Sequence, residues 1–335
     1  MSGVKPGREP DASAPADGRP ARDAPAVGAA SVPTSAAPAA RDVRRGLLLG
    51  LLGVAIFAMT FPMTRLAVGD AAHPQLSPEF VTAARAALAG LLSVVYLRLV
   101  GAARPAREHL KPLAICALGT VVGFPLCIAI ALREVESTHA AVVSGVIPLG
   151  TAIVGALSFG QRPSRGFWLC AAGGCALVLA FALQAGGGRL VAADGWLLLA
   201  VLSTAFGYVG GARVAAVLPA QQVICWVVVG TLPLTLPLAL WWWPSGPVGA
   251  AAWGGLLYVS LFSMWLGFFA WYRGLALGGL VRVSQVQLLQ PFLALLFAVP
   301  VLGEPLEPVT VGFALAVLAV VFLGRRMPVG QPRAR

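Results

Sequence analysis

The sequence predicts an all-α integral membrane protein of ten transmembrane helices, arranged as two inverted five-helix repeats. Three observations predict it. The first is composition: of 335 residues 58% are hydrophobic and 11% charged, with a mean hydropathy of +0.84, far too little charge for a soluble surface of that size. The second is distribution. The apolar residues fall in blocks of about 18 or more with almost no charge, the length that crosses hydrocarbon as a helix. Strands of a membrane barrel alternate apolar and polar residues over about 10 positions. These blocks do not alternate, so their backbone is satisfied within helices. The third is internal: the second half of the chain falls on the first at a single offset of 143 positions.

The expected helix cores run over 46–64, 80–97, 112–132, 140–159, 167–184, 195–212, 223–243, 250–272, 283–303 and 309–324. The run Gly303-Glu304-Pro305-Leu306-Glu307-Pro308 separates the last two, because glycine and proline at that density mark a loop. Residues 1–45 are rich in Ala, Pro, Asp and Arg, bury too little apolar surface to offset chain entropy, and read as a disordered cytoplasmic tail. The tail is too long and too polar for a signal peptide, so the first span reads as an uncleaved anchor. Residues 46–184 form the first repeat, 194–324 the second, and 325–335 a short basic tail.

The net charge of +11 is a topology signal. With ten spans and a cytoplasmic N-terminus, 20 of the 24 Lys and Arg lie on the cytoplasmic side. Arg65, Arg133 and Arg189 lie opposite, and Arg85 lies within a span. That bias is the positive-inside pattern. It implies a multi-pass protein of the plasma or inner membrane with both termini cytoplasmic and anionic lipid as a weak partner. It excludes a folded nucleic-acid patch. Five cysteines sit inside spans, where they read as small packing residues. His73, His109 and His139 fall at loop edges and read as interfacial.

At the offset of 143, Pro148 falls on Pro291, Gly160-Gln161 on Gly303-Glu304, Ala131-Leu132 on Gly274-Leu275, Thr60 on Ser203 and Ser144 on Gln287. Each unit holds five spans, and an odd number inverts the second unit relative to the first. Inverted repeats of this kind place a solute site near the bilayer midplane between them.

The chain resembles the EamA-type members of the drug/metabolite transporter superfamily, on four features. Pro78 is followed by Arg85 and Ala86-Ala87. Ile147-Pro148-Leu149 runs into Gly160-Gln161. Gln290-Pro291-Phe292 runs into Gly303-Glu304. The helix count and the repeat agree with the family's ten helices in two halves. Gln161 stands where the family has Glu, and Ala58-Met59-Thr60 replaces a Trp-Gly-Ser-like stretch. The resemblance implies transport of a small metabolite, amino-acid-like or drug-like solute by alternating access, with export as the expected direction. It also implies a structural role for Arg85 and Glu304, while an Arg85 that faced the cavity would attract a carboxylate or phosphate.

Polar residues inside spans are functional candidates. Ser284, Gln287 and Gln290 recur every three residues along one face, next to Pro291, which frees a carbonyl one turn back. Ser144 and Pro148 repeat the arrangement in the fourth span. Trp265, Phe268 and Tyr272 share a face of the eighth, and aromatics on a cavity wall can stack on a substrate. Thr60, Ser203 and Tyr208 complete the expected lining. None of the thirteen acidic residues lies in the core of a span, which argues against a carboxylate-driven pump of cationic drugs. No metal cluster, cofactor motif, embedded Ser–His pair or nucleotide-binding loop is present. A membrane-embedded enzyme or a receptor-like protein is the alternative to a carrier.

Overall fold

The computed structural model describes residues 40–158, 162–215, 217–278, 283, 285–327 and 329–330. The expected first span is a pair of helices, α1 (Ala40–Ala58) and α2 (Thr60–Val68), interrupted at Met59. α3 (Pro78–Leu99) is the second span. The third enters through a 3₁₀ turn, Arg107–His109, and consists of α4 (Leu110–Cys116), a π-helical segment (Ala117–Gly123) and α5 (Phe124–Ala131). The fourth is split into α6 (Ser137–Ser144) and α7 (Ile147–Ser158). Next come the continuous helices α8 (Arg165–Ala185), α9 (Ala192–Ala215) and α10 (Ala220–Trp241). The eighth span is α11 (Ala250–Tyr258), a second π-helical segment (Val259–Leu266) and α12 (Gly267–Gly278). A 3₁₀ segment, Gln285–Leu289, leads into α13 (Gln290–Leu302), and α14 (Pro308–Arg326) closes the bundle.

Eight of these stretches are long and apolar enough to cross a membrane, and Val286–Leu302 and Pro308–Gly324 are shorter apolar helices. Apart from helices, the described residues hold one antiparallel strand pair, β1 (Arg162–Pro163) with β2 (Val329–Gly330), and an isolated antiparallel bridge between Gly69 and Pro74.

Several expected boundaries are corrected. Helix begins at Ala40, so Arg41, Arg44 and Arg45 belong to α1 and not to the tail. The expected ninth span is not one α-helix. Pro291 is the second residue of α13, where a missing N–H costs nothing, so the helix restarts there and the residues before it wind as 3₁₀. Pro148 has the same place in α7. Other starts are set by caps: Ser77 Oγ accepts from Phe80 N at 3.1 Å ahead of α3, and Ser164 Oγ accepts from Phe167 N at 3.3 Å ahead of α8.

Glycine sets the closest helix contacts. A Cβ on Gly274 of α12 would lie 2.7 Å from Gly50 N of α1, and one on Gly119 would lie 2.3 Å from Ser203 O of α9. Side chains are excluded there, so backbones meet directly, the close approach that membrane helices use where lipid supplies no hydrophobic drive. α1 packs on α12, and α9 on the α4–π–α5 stretch; α3 packs on α10, α6 on α13 and α8 on α14. Leu118, Leu169, Leu240 and Val95 are more than half exposed on the outer face, as are Trp241 and Trp243 at the end of α10. The outward apolar surface suits lipid.

Candidate functional site

Five irregularities surround one cavity: the Met59 break, the Gly145-Val146 break between α6 and α7, the two π segments, and the 3₁₀-to-α junction at Gln290. Each interrupts the i→i−4 ladder, and such interruptions concentrate where membrane proteins handle polar groups. Of the expected lining residues, the cavity holds Thr60, Ser144, Pro148, Tyr208, Phe268, Gln287, Gln290 and Pro291. In a 3₁₀ turn positions three apart eclipse, so Gln287 and Gln290 stay on one side of the chain. The Tyr208 phenol faces Gln287. Ser284 lies outside the described residues.

Ser203, Trp265 and Tyr272 are not among the lining residues. Ser203 packs against the third span, where a Cβ on Gly123 would sit 2.7 Å from its Oγ. The next residue, Thr204, lines the cavity instead. At the same offset of 143, Thr204 falls on Phe61, which also lines the cavity. Trp265 lies in the π segment and packs on Tyr96 and Phe269, at ring centroid distances of 6.3 and 4.9 Å. The π segment widens the turn and rotates the residues that follow it, so Trp265, Phe268 and Tyr272 do not share the cavity face. Tyr272 stands behind Phe268, 5.8 Å between ring centroids.

Three polar lining residues were not among the expected ones: Thr120, Thr204 and Ser263. Thr120 and Ser263 are themselves related by the offset of 143, so the repeat carried a usable signal for them. Ser263 Oγ accepts hydrogen bonds from Thr60 Oγ1 at 2.8 Å and from Arg85 Nη2 at 3.1 Å. Arg85, expected in a structural role, therefore lies on the cavity wall. Arg85 Nε and Ser144 Oγ are buried without a hydrogen-bond partner among the described residues.

A separate polar cluster occupies the end of the bundle that carries the α13–α14 turn. Gly303 takes φ +71°, a left-handed cap that turns the chain back, and Glu304 follows it. The Glu304 carboxylate accepts from Ser137 N at 2.8 Å, Ser137 Oγ at 2.9 Å and Thr138 N at 2.9 Å, capping α6 from a different part of the chain. Arg65 donates to the carbonyls of Leu132 and Val135, and Arg133 to that of Leu76. His139, expected at an interface, is buried and bonded to Asp194. In the neighbouring loop the His73 amide donates to Asp70 and holds its carboxyl below the usual carboxylate range.

A multi-pass helical bundle with helix breaks gathered around a cavity of apolar walls and a few polar groups is the architecture of a membrane transporter. The profile of the EamA-like transporter family matches residues 44–183 and again 191–325. The chain belongs to that family. It is 43% identical over 283 residues to the "Uncharacterized transporter YdeK" of Bacillus subtilis (strain 168), covering 84% of this chain and 97% of that one. It is 25% identical over 284 residues to the "Probable terminal-alkyne amino-acid exporter" of Streptantibioticus cattleyicolor, covering 82% and 92%. A solved crystal structure aligns with 84% of this chain and 96% of its own at a TM-score of 0.56 and 17% identity, which shows a shared fold.

Proposed function

We propose that this protein is a secondary carrier that exports a small metabolite, amino-acid-like or drug-like solute across the cell membrane by alternating access. The observation that carries the reading is the cavity, whose polar residues come from both stretches matched by the family profile. Thr60, Arg85, Thr120 and Ser144 come from the first; Thr204, Tyr208, Ser263, Gln287 and Gln290 from the second. In this reading the two shorter apolar helices also cross the membrane, giving ten spans in two five-helix units of opposite orientation. Related features fall at related places: the π segments start at Ala117 and Val259, and the restarted helices at Ile147 and Gln290. The helix pairings agree with a two-fold relation. Exchanging the units turns the α1–α12 contact into that of α9 with the third span, and leaves α3–α10, α6–α13 and α8–α14 paired with themselves. Rocking one unit against the other would open the cavity to each side in turn. Export is supported by the name of the Streptantibioticus relative. The positive-inside bias puts both termini in the cytoplasm.

Reconstitution tests the carrier directly. Vesicles containing the protein should exchange members of an amino-acid and metabolite mixture faster than protein-free vesicles, and Gln287→Leu should slow that exchange. Equal flux with and without protein would sink the reading. Reporter fusions at residue 335 and cysteine labelling at 244–249 should report opposite sides, the former cytoplasmic; an external C-terminus would overturn the ten-span topology.

A further inference from the structure

Arg85 is 3% exposed and lies on the cavity wall. Its hydrogen-bond partner is a neutral hydroxyl, Ser263 Oγ, through Nη2, and its Nε has no partner among the described residues. No Asp or Glu is among the described residues that line the cavity. Sequestering a guanidinium from water is expensive unless an anion or several acceptors compensate it. One serine oxygen leaves most of its five N–H donors unanswered.

The same chain shows what its structural arginines do. Arg65 donates to the carbonyls of Leu132 and Val135, and Arg133, whose Nε is likewise unpartnered among the described residues, to that of Leu76; what sets Arg85 apart is that it bonds no carbonyl and lies on the cavity wall. Arg85 is seven residues into α3, about 10 Å along the helix at 1.5 Å per residue. It answers no carbonyl among the described residues and points to the space where a solute would sit.

We propose that Arg85 is the carboxylate-binding group of this cavity, and that the transported solute is a monocarboxylate or a zwitterion bearing one. The assignment rests on the carrier reading above. A guanidinium matches a carboxylate bidentately, through two parallel N–H···O bonds. Arg85 is the sole Lys, Arg, His, Asp or Glu on the described lining, so the site balances one negative charge and not the two of a phosphate ester. A cationic solute without a carboxylate meets repulsion there and no acceptor of opposite charge. Ser144 Oγ, itself unpartnered, and the Gln287 and Gln290 amides give the remaining polar groups of a zwitterion acceptors within the same cavity.

The test uses the full-length protein in vesicles offered three matched sets: L-amino acids, the corresponding 2-oxo acids, and the corresponding amino-acid amides. Mass spectrometry of the lumen reads what enters. Amino acids or 2-oxo acids should enter and the amides should not, a comparison on the unmodified protein that needs no folded variant. Arg85→Gln should lower carboxylate flux at least tenfold, and Arg85→Lys, which keeps the charge and loses the fork, should fall between. Amides entering as fast as acids would overturn the assignment while leaving the carrier standing, as would unchanged carboxylate flux in a monodisperse Arg85→Gln protein. Entry of no compound from any set would overturn this assignment together with the carrier reading.

Discussion

His139 Nε2 and Asp194 Oδ1 lie 2.8 Å apart in the interior, joining the first turn of α6 to the first turn of α9. The His139 ring also packs on Phe181, 4.9 Å between centroids. Asp194 does two jobs, since its Oδ2 accepts from Val191 N at 3.0 Å and so caps the start of α9. The pair therefore ties together the two stretches that the family profile matches separately. Removing the carboxylate strands a buried imidazole and a backbone donor at once. Asp194→Ala should cost about 1–3 kcal/mol, the scale for leaving buried groups unsatisfied. In thermal unfolding of detergent-purified protein, the double variant with His139→Ala should lose less than the sum of the two single losses; strictly additive losses would show that the residues are not coupled.

Glu304 should behave as a long-range helix cap. Glu304→Ala removes acceptors for three donors on Ser137 and Thr138, whereas Ser137→Ala removes one. The first should lower the melting temperature clearly more than the second, with about 0.5–2 kcal/mol expected for a lost cap alone. Equal shifts would mean that the backbone donors contribute nothing.

Gln287 is expected to touch solute. Gln287→Leu keeps the size and removes both amide functions, so flux below saturation should fall by about 2- to 10-fold, the equivalent of about 0.5–1.5 kcal/mol for one hydrogen bond. Ser144→Ala, which removes an unpartnered hydroxyl from the same cavity, should give a smaller loss of the same kind. Wild-type flux in Gln287→Leu at wild-type membrane levels would remove that face from the site.

Backbone contact should make Gly119 intolerant of a single methyl. Gly119→Ala drives a Cβ toward Ser203 O, while Gly173→Ala meets nothing within 4 Å. Overpacking typically costs about 1–3 kcal/mol, so the first should reduce thermal stability and the second leave it near wild type. Comparable stability in both would show that α9 can yield at that contact.

Asp70 contributes to the pH dependence of stability. Its carboxyl titrates below the usual range because the His73 amide donates to the charged form. A depressed folded-state value means that the contribution is present above the unfolded pKa and is lost as pH falls through the folded one. The acid limb of a stability-versus-pH curve should therefore be shallower in Asp70→Asn than in wild type; superimposable curves would refute the link.

The two glutamines and two prolines of the cavity were legible because their signals are local. Polar residues three apart in an apolar run, and a proline inside it, announce themselves in one dimension. The 143-residue offset linked Ser144 to Gln287, and both line the cavity. Trp265 was misplaced by a π segment, which has no sequence signature, and Ser203 by its packing against the third span.

By itself, the sequence determined what hydropathy and charge can determine: helices buried in lipid, their order, and the duplication. The helices and their order follow from the free energy of moving single residues between water and hydrocarbon, which needs no knowledge of neighbours, and the duplication from the match of the chain to itself at one offset. Which polar groups meet was decided by the tertiary structure alone. Glu304 reaches Ser137, His139 reaches Asp194, and Arg85 reaches Ser263, across 167, 55 and 178 positions respectively. Hydrogen bonds act over about 3 Å and depend on direction, so such pairs exist only once helix rotation and register are set. Those were set by glycine contacts, π turns and proline breaks acting together.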